Sequence, residues 1–451
     1  MRVVRPARLE FGLRTRAQAW IFLASLILAG STLIYFGGKT ATAETLANSQ
    51  NIEWVERAVK LDPSNPAPHY RLGALRLFSW EKPDSFAAMQ HLSRAVELSP
   101  NNGPYWLALA AAAESVGDAP SAHDAIQHAL DRRPMSPDYW WRAANFYLRA
   151  GQYESAWEHF RRVLQLSPSH ADLVFRLCYK ASSDPRVVAE KVLPPDASAA
   201  LRLAYVDFLT SHRDYEGAFN VWQQIASKGL QTKVTFPSAQ PYINRLIADN
   251  RPEDAMSAWD DLLKWRVILR PTSVIPGDAV FNGAFERTPL NGGFDWRTTP
   301  LPYVVTDLQS AGPLRGTKSA RVDFTVKHNE EYDILFQFVP IQPRRAYRVQ
   351  AMVRSEGITS DSGPRLRVVD AASPARLEAS TAPVIGTTDW HPIELTFSTG
   401  SDTRLVRLTV WRARSRTFPM EISGRFWIGA VSMIASGSPA ELASAGPTRM
   451  P

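Results

Sequence analysis

Pro100, Pro134 and Pro168 stand 34 residues apart along this chain. Each follows a run in which Ala, a bulky apolar residue and Ala or Val recur at matching places: Ala88, Leu92 and Ala95; Ala122, Ile126 and Ala129; Ala156, Phe160 and Val163. A fixed period of this length cannot be satisfied by one closed core. It demands stacked helical hairpins, each burying its apolar face on the next. Proline resets the chain direction at each joint because it cannot continue a helix. A stack of hairpins presents a long concave wall, so the period also points to a binding protein.

The clearest copy runs from Pro137 to Pro168. Trp140, Ala144 and Tyr147 mark its first helix, Gly151-Gln152-Tyr153 its turn, and Ala156, Phe160 and Val163 its second helix. The copy before it carries Trp106, Leu109 and Ala110. The one before that carries Leu72 and Gly73, with an expanded turn over Ser79 to Ser85. Glu53 to Leu61 reads as the second helix of a partial or capping copy. Small residues at Gly73, Ala110 and Ala144 let paired helices approach, and large ones fill the gaps. Weaker copies follow. Helices are expected at Ala171–Lys180, Ala199–Ser211, Tyr215–Lys228, Pro241–Asp249 and Pro252–Val267, with a shortened helix near Val187–Leu193. These features resemble the tetratricopeptide repeat (TPR) family across residues 44–270. The resemblance implies protein or peptide partners in the concave groove. No spaced set of Lys and Arg stands out there, so no groove ligands are assigned.

The chain carries a net charge of +7. Most of the excess is at the N-terminus, where Arg2, Arg5, Arg8, Arg14, Arg16 and Lys39 face only Glu10. No basic-aromatic motif elsewhere argues for nucleic acid. Residues 17–36 (AQAWIFLASLILAGSTLIYF) contain no charge and form a stretch long enough to span a bilayer core. Trp20 and Tyr35 flank it at interface positions, and the arginines before it keep residues 1–16 cytoplasmic. The expectation is a retained single-pass anchor in the inner membrane, with everything after Lys39 extracytoplasmic. The alternative is secretion after cleavage near Ala43, because Ala41-Thr42-Ala43 has a small-x-small pattern. Cys178 is the one cysteine, so no internal disulfide exists, and its apolar surroundings suggest a buried thiol.

From residue 271 the texture changes. Residues 271–277 (PTSVIPG) read as a turn-rich linker, and the apolar period then falls to two. Strands are expected at Ala320–Val326, Ile334–Val339, Ala346–Ser355, Arg365–Val369, Ile393–Ser398, Leu405–Arg412 and Phe426–Met433. The fold class is therefore multidomain, α then β. An N-terminal transmembrane helix leads into an α-solenoid, and residues 278–436 form an antiparallel β-sandwich or jelly roll. Residues 437–451 read as a disordered tail.

Phe281-Asn282-Gly283-Ala284-Phe285-Glu286, Gly293-Phe294-Asp295-Trp296, the strand from Gly316 to Val322, Gln337-Phe338-Val339-Pro340 with Tyr347, Thr387-Thr388-Asp389-Trp390 and the strand from Phe426 to Val431 occur in that order. Together they resemble the carbohydrate-binding-module superfamily of galactose-binding-like jelly rolls. The resemblance implies glycan binding on exposed aromatic rings. The candidates are Tyr332, Trp411, Trp390 and Trp296, with Tyr332 expected exposed in its charged stretch. Arg412 and Arg414, alternating along one strand, are candidates for an acidic glycan. The resemblance also raises a structural calcium, with Asp278 and Glu286 as weak ligand candidates. Gly429 and Ala430 stand where relatives often carry an Asp, which counts against it. No GxSxG, HExxH or phosphate loop is present, and no enzymatic role is expected. Two readings follow. One is a membrane-anchored adaptor that binds protein through its repeats and polysaccharide through its sandwich, in surface polysaccharide export or assembly. The other is a protein scaffold whose sandwich caps the array without binding sugar.

Overall fold

The computed structural model describes residues 15–79, 83–182, 184–272 and 275–436. Residues 1–14, most of the basic N-terminus, and the tail 437–451 lie outside them. So do residues 80–82 of the expanded turn and 273–274 of the linker. The chain forms two compact units, one reaching His170 and including Glu190–Pro194, the other holding Ala171–Ala189 and everything from Pro195.

The first unit is all helical. It opens with α1 (Arg16–Ala47), a single helix of 32 residues capped by a Thr15–Gln18 box. This helix is long and apolar enough to cross a membrane by length and composition. It does not stop where the apolar run stops. Its last turns bury Ala43 and Ala47, Lys39 pairs with Asp62 at 3.9 Å, and Thr40 donates to the same carboxylate at 3.2 Å. Then come α2 (Ile52–Leu61), α3 (Pro66–Leu77), α4 (Ser85–Leu98), α5 (Gly103–Ser115), α6 (Ala119–Arg132), α7 (Pro137–Arg149) and α8 (Tyr153–Leu166). Side-chain caps from Asn51, Asn65, Asp84 and Asp118 start four of them, satisfying first-turn amides that would otherwise be orphaned.

The 34-residue period is visible as repeated geometry. Leu92, Ile126 and Phe160 are all buried, at 0%, 3% and 0% exposure, and so are Ala88, Ala122 and Ala156, each at 0%. Full burial of a ring such as Phe160 contributes about 2–3 kcal/mol. Gly117 and Gly151 close the two intra-hairpin turns at φ +81° and +71°, a left-handed conformation that favours glycine. At Gly73 the constraint is contact: a Cβ there would come within 2.5 Å of Leu92 Cγ and 3.0 Å of the Ala88 carbonyl.

The second unit begins with α9 (Ala171–Ser182). A three-residue turn α10 (Pro185–Val187) follows in place of a regular second helix, and the π turn after it (Val188–Val192) runs into Glu190–Pro194, which belong to the first unit. Two hairpins come next: α11 (Ala199–Ser211) with α12 (Tyr215–Ser227), and α13 (Phe236–Ala248) with α14 (Pro252–Lys264). α13 starts five residues before the expected Pro241, which sits inside the helix. A capping box from Thr235 and Ser238 initiates it, which offsets the one amide hydrogen bond that proline removes. Cys178 is buried, and that burial pushes its thiol well above the ordinary cysteine range.

Among the described residues ten strands make two five-stranded antiparallel sheets. One runs β1 (Arg297–Thr298), β4 (Tyr332–Pro340), β9 (Leu405–Arg412), β6 (Arg365–Asp370), β7 (Glu378–Ser380). The other runs β2 (Val304–Ala311), β3 (Lys318–His328), β10 (Ile422–Ala435), β5 (Ala346–Ile358), β8 (Gly386–Ser398). Alternate residues of both sheets, among them Val349, Val353, Leu408, Val410 and Ile428, enclose one core. The seven expected strands are present, β8 starting at Gly386 rather than Ile393. β1, β2 and β7 were not expected.

The opening segment of this domain folds into a buried polar knot. Asn282, at φ +55° and 2% exposed, receives the Arg287 amide on Oδ1 at 3.2 Å. Its carbonyl accepts the Trp296 indole N–H at 3.2 Å, and the Trp296 ring stacks on Phe285. Asp295 accepts the Leu290 and Trp296 amides at 2.9 and 2.8 Å. Burial nevertheless outweighs those donors and raises its carboxyl to about 6.

Candidate functional site: a groove between α5 and α7

α5 and α7 are the first helices of consecutive hairpins, and between them lies a groove of about 470 Å³. Its wall on α5 is Leu107, Ala110, Ala111 and Glu114, and on α7 Asp138, Trp141, Arg142, Asn145 and Arg149. Both sets follow the spacing of one helix face. The methyl side chains of Ala110 and Ala111 leave the space open, while Trp141 stands opposite as a half-buried ring. Trp141 is held edge-on against Phe160, with centroids 5.6 Å apart at 70°.

The polar groups are fixed from both ends. Arg149 donates to Glu114 through Nε at 2.7 Å and Nη2 at 2.9 Å, a two-pronged contact across the groove. That contact raises the Arg149 pKa further above its ordinary value. Arg142 pairs with Asp138 at 3.1 Å one turn away. Asn145 donates to the Trp141 carbonyl at 2.8 Å, which orients its amide and leaves Oδ1 to accept a donor such as a peptide N–H. The groove therefore offers an apolar floor, one aromatic wall and a carboxamide between two ion pairs. That set can hold an extended peptide; no proton-transfer pair or nucleophile is formed. A second groove of about 450 Å³, within the second unit, lies between α9 and α11 and is lined by Asp172, Phe175, Arg176, Asp207 and His212.

No groove ligand stands out from the sequence alone. The signal was available: Trp141 stands 34 residues after Leu107, and Asn145 34 after Ala111. A polar or aromatic residue thus replaces an aliphatic one at the same place in the next copy.

The residues singled out for glycan binding do not form one site. Tyr332 is buried rather than exposed, at 8%. Its ring contacts Tyr303, its hydroxyl lies 2.6 Å from His328 Nε2, and burial raises its pKa. Trp296 is 0% exposed in the knot described above. Arg412 is also 0% exposed. It donates to the carbonyls of Glu330 and Met420 and to Asn329 Oδ1, tying loops together. Arg414 lies beyond the end of β9 and pairs with Glu330. Trp411, on β9, has the guanidiniums of Arg365 and Arg367 at 5.3 and 4.6 Å from its ring centroid. Trp390, half-buried, is on β8 of the other sheet.

The calcium candidates are committed elsewhere as well. Asp278 Oδ1 receives the Val280 and Met433 amides, each at 2.9 Å. Both oxygens of Glu286 are taken by Thr272. Among the described residues no three His, Cys, Asp or Glu side chains gather as a metal site.

The comparisons concentrate on the helices. A family described as the middle TPR-like domain of cilia and flagella-associated protein 70 matches residues 84–233. The human antiviral innate immune response effector IFIT1 is 30% identical over 133 residues, 28% of this chain and 28% of that protein. An N-terminal acetyltransferase A complex subunit-like protein of Schizosaccharomyces pombe is 27% identical over 135 residues, 30% of this chain and 19% of that one. The chain thus spans little more than a quarter, or less, of the length of these curated relatives. Among solved structures, MamA covers 39% of this chain and 89% of its own at 17% identity and a TM-score of 0.29. YrrB, described as a TPR protein with an unusual peptide-binding site, covers 42% and 90% at 16% identity and 0.28. A CBM4 structure covers 35% and 99% at 10% identity and 0.26. The helical region is TPR-like, and a domain of antiparallel sheets follows it.

Proposed function

We propose that this chain is a membrane-anchored, extracytoplasmic scaffold that binds a protein partner as an extended segment in the groove between α5 and α7. The groove carries the reading: an open apolar floor beside Trp141, with Asn145 and the Glu114–Arg149 pair positioned to meet a peptide backbone and its charges. TPR-like repeats in general serve protein–protein interaction, in line with this role. α1 supplies the anchor, with residues 1–16 in the cytoplasm. Ala43, next to the alternative cleavage point, is buried inside a continuous helix, which favours retention over cleavage. Burial of Tyr332, Trp296 and Arg412 favours the second role for the sheet domain: it supports the array and binds no polysaccharide. A setting in surface polysaccharide assembly then rests on the partner.

Photocrosslinking in cells tests this. A photoreactive residue at Leu107 or Asn145 of the full chain is expected to capture a discrete partner that one at Phe219 does not. Trp141→Ala and Arg149→Glu are expected to abolish the adduct. An adduct equally strong from all positions and unaffected by both substitutions overturns the groove as the binding site. Retention on immobilised acidic or neutral polysaccharide, lost in Trp411→Ala, restores the glycan reading.

A further inference from the structure

The junction of α1 with the repeats fixes more than an attachment point. α2 returns antiparallel to α1 through the turn at residues 48–51, and its end at Asp62 is level with Lys39 and Thr40. The next joints, at Pro100 and Pro134, lie along the same edge of the array. Tyr70 of α3 stacks on Tyr105 of α5, with centroids 4.6 Å apart. Trp106 donates to the Pro100 carbonyl at 2.8 Å, and Arg132 Nε reaches that carbonyl too. Arg162 Nη2 meets Met135 Sδ at 3.8 Å. The proline joints therefore form one continuous edge, and it points back along α1 toward the apolar run. From Phe36, where that run ends, to Lys39 is about 5 Å of helix. The headgroup layer of one leaflet is on the order of 5–7 Å thick.

We infer that this proline edge is a lipid-contacting surface that lies on the membrane and recognises anionic phospholipid headgroups. Its chemistry fits. Lys60, Arg132, Arg133 and Arg162 come to this edge. Arg132 is satisfied by the carbonyls of Pro100 and His128 and Arg162 by Gln165, so neither charge is cancelled by a carboxylate. Asp131 is the opposing acid; Glu97 and Asp138 are paired with Arg94 and Arg142. Met135, 71% exposed at the tip of a joint, adds a flexible apolar side chain among the cations. The opposite edge, with the turns at Gly117 and Gly151, faces away. This inference rests on α1 being a retained span.

Depth-dependent quenching of the full chain in phosphatidylglycerol vesicles tests it. A bimane label is placed at Met135→Cys on the proline edge or at Val116→Cys on the opposite edge; Cys178, being buried, stays unlabelled. A headgroup spin label is expected to quench position 135 at least threefold more than position 116. Arg132→Glu with Arg133→Glu, or high salt, is expected to cut that difference by half or more while the chain still floats with the vesicles. Equal quenching at both positions in a chain that floats overturns the orientation and leaves the anchor intact. Undiminished quenching in pure phosphatidylcholine vesicles overturns headgroup recognition. A chain that does not float overturns the anchor and this surface together.

Discussion

The indole N–H of Trp140 donates to the carbonyl of Pro134 at 2.9 Å. The same bond joins Trp106 to Pro100, 34 residues earlier, at 2.8 Å. The ring at the start of each first helix thereby closes the joint that delivered it. Each proline lies past the C-cap of the preceding helix; the Trp140 indole satisfies the carbonyl of Pro134, and the Trp106 indole shares that of Pro100 with Arg132 Nε.

Trp140→Phe keeps most of the ring but removes the donor. The expected loss is about 1 kcal/mol, read from urea unfolding, with Trp106→Phe costing less because Arg132 Nε still donates to the Pro100 carbonyl. Because neighbouring hairpins share interfaces, the two losses are expected to couple and not simply add. A change below a few tenths of a kcal/mol in Trp140→Phe would show that water replaces the bond.

Gly73→Ala places a methyl group against Leu92 and the Ala88 carbonyl. Helix propensity alone would favour alanine by about 1 kcal/mol. Overpacking works against it at about 1–3 kcal/mol, so a net destabilisation is expected. Gly73→Ala with Leu92→Ala opens the space again and is expected to recover part of the loss. A single variant more stable than the wild type would refute the close approach.

How much of this was legible in the chain depends on how far apart the deciding residues lie. Helix α11 was legible to both ends, because Ser198 caps it and the apolar period runs through it. β2 was not, since Thr306, Asp307 and Gln309 break the alternation and a register shift falls between Asp307 and Ser310. Tyr332 misled for a different reason. Its charged neighbours suggested solvent, but Tyr303 and His328 cover it from outside its own strand. The groove was hidden because its content is a difference between copies, Leu107 against Trp141 and Ala111 against Asn145, while the period draws attention to what the copies share.

Asp295 makes the sheet domain sensitive to pH. Its folded value of about 6 lies above the ordinary 3.8, so the folded state keeps a proton that the unfolded chain releases between those values. The stabilisation is complete below about pH 3.8 and is lost as pH rises through 6. The stability difference between wild type and Asp295→Asn is expected to shift against the wild type by about 2 kcal/mol from pH 4 to pH 7. Denaturant unfolding at several pH values measures it. A difference that does not change with pH would mean that the carboxyl is ionised throughout.

Cys178 offers a probe of the helices around it. Burial disfavours its thiolate, and the side chain is 0% exposed. Ellman's reagent is expected to leave the native protein unmodified over hours and to modify one thiol per chain in denaturant. Rapid modification without denaturant would reveal local opening of α9.

The unbroken course of α1 from its apolar run to the buried Ala43 and Ala47 has a mechanical consequence. A flexible tether lets an attached domain sweep a hemisphere and meet ligands at any distance within its reach. A helix whose last turns belong to the core of the domain it carries does not permit that sweep. With residues 17–36 in a bilayer, the array tilts and rotates only as the span does, and the mouth of the groove keeps a nearly constant height above the lipid. On the proposed reading, partners would then be sorted by length as well as by chemistry. A segment displayed near the membrane surface can dock, and the same segment carried on a long rigid stalk passes overhead.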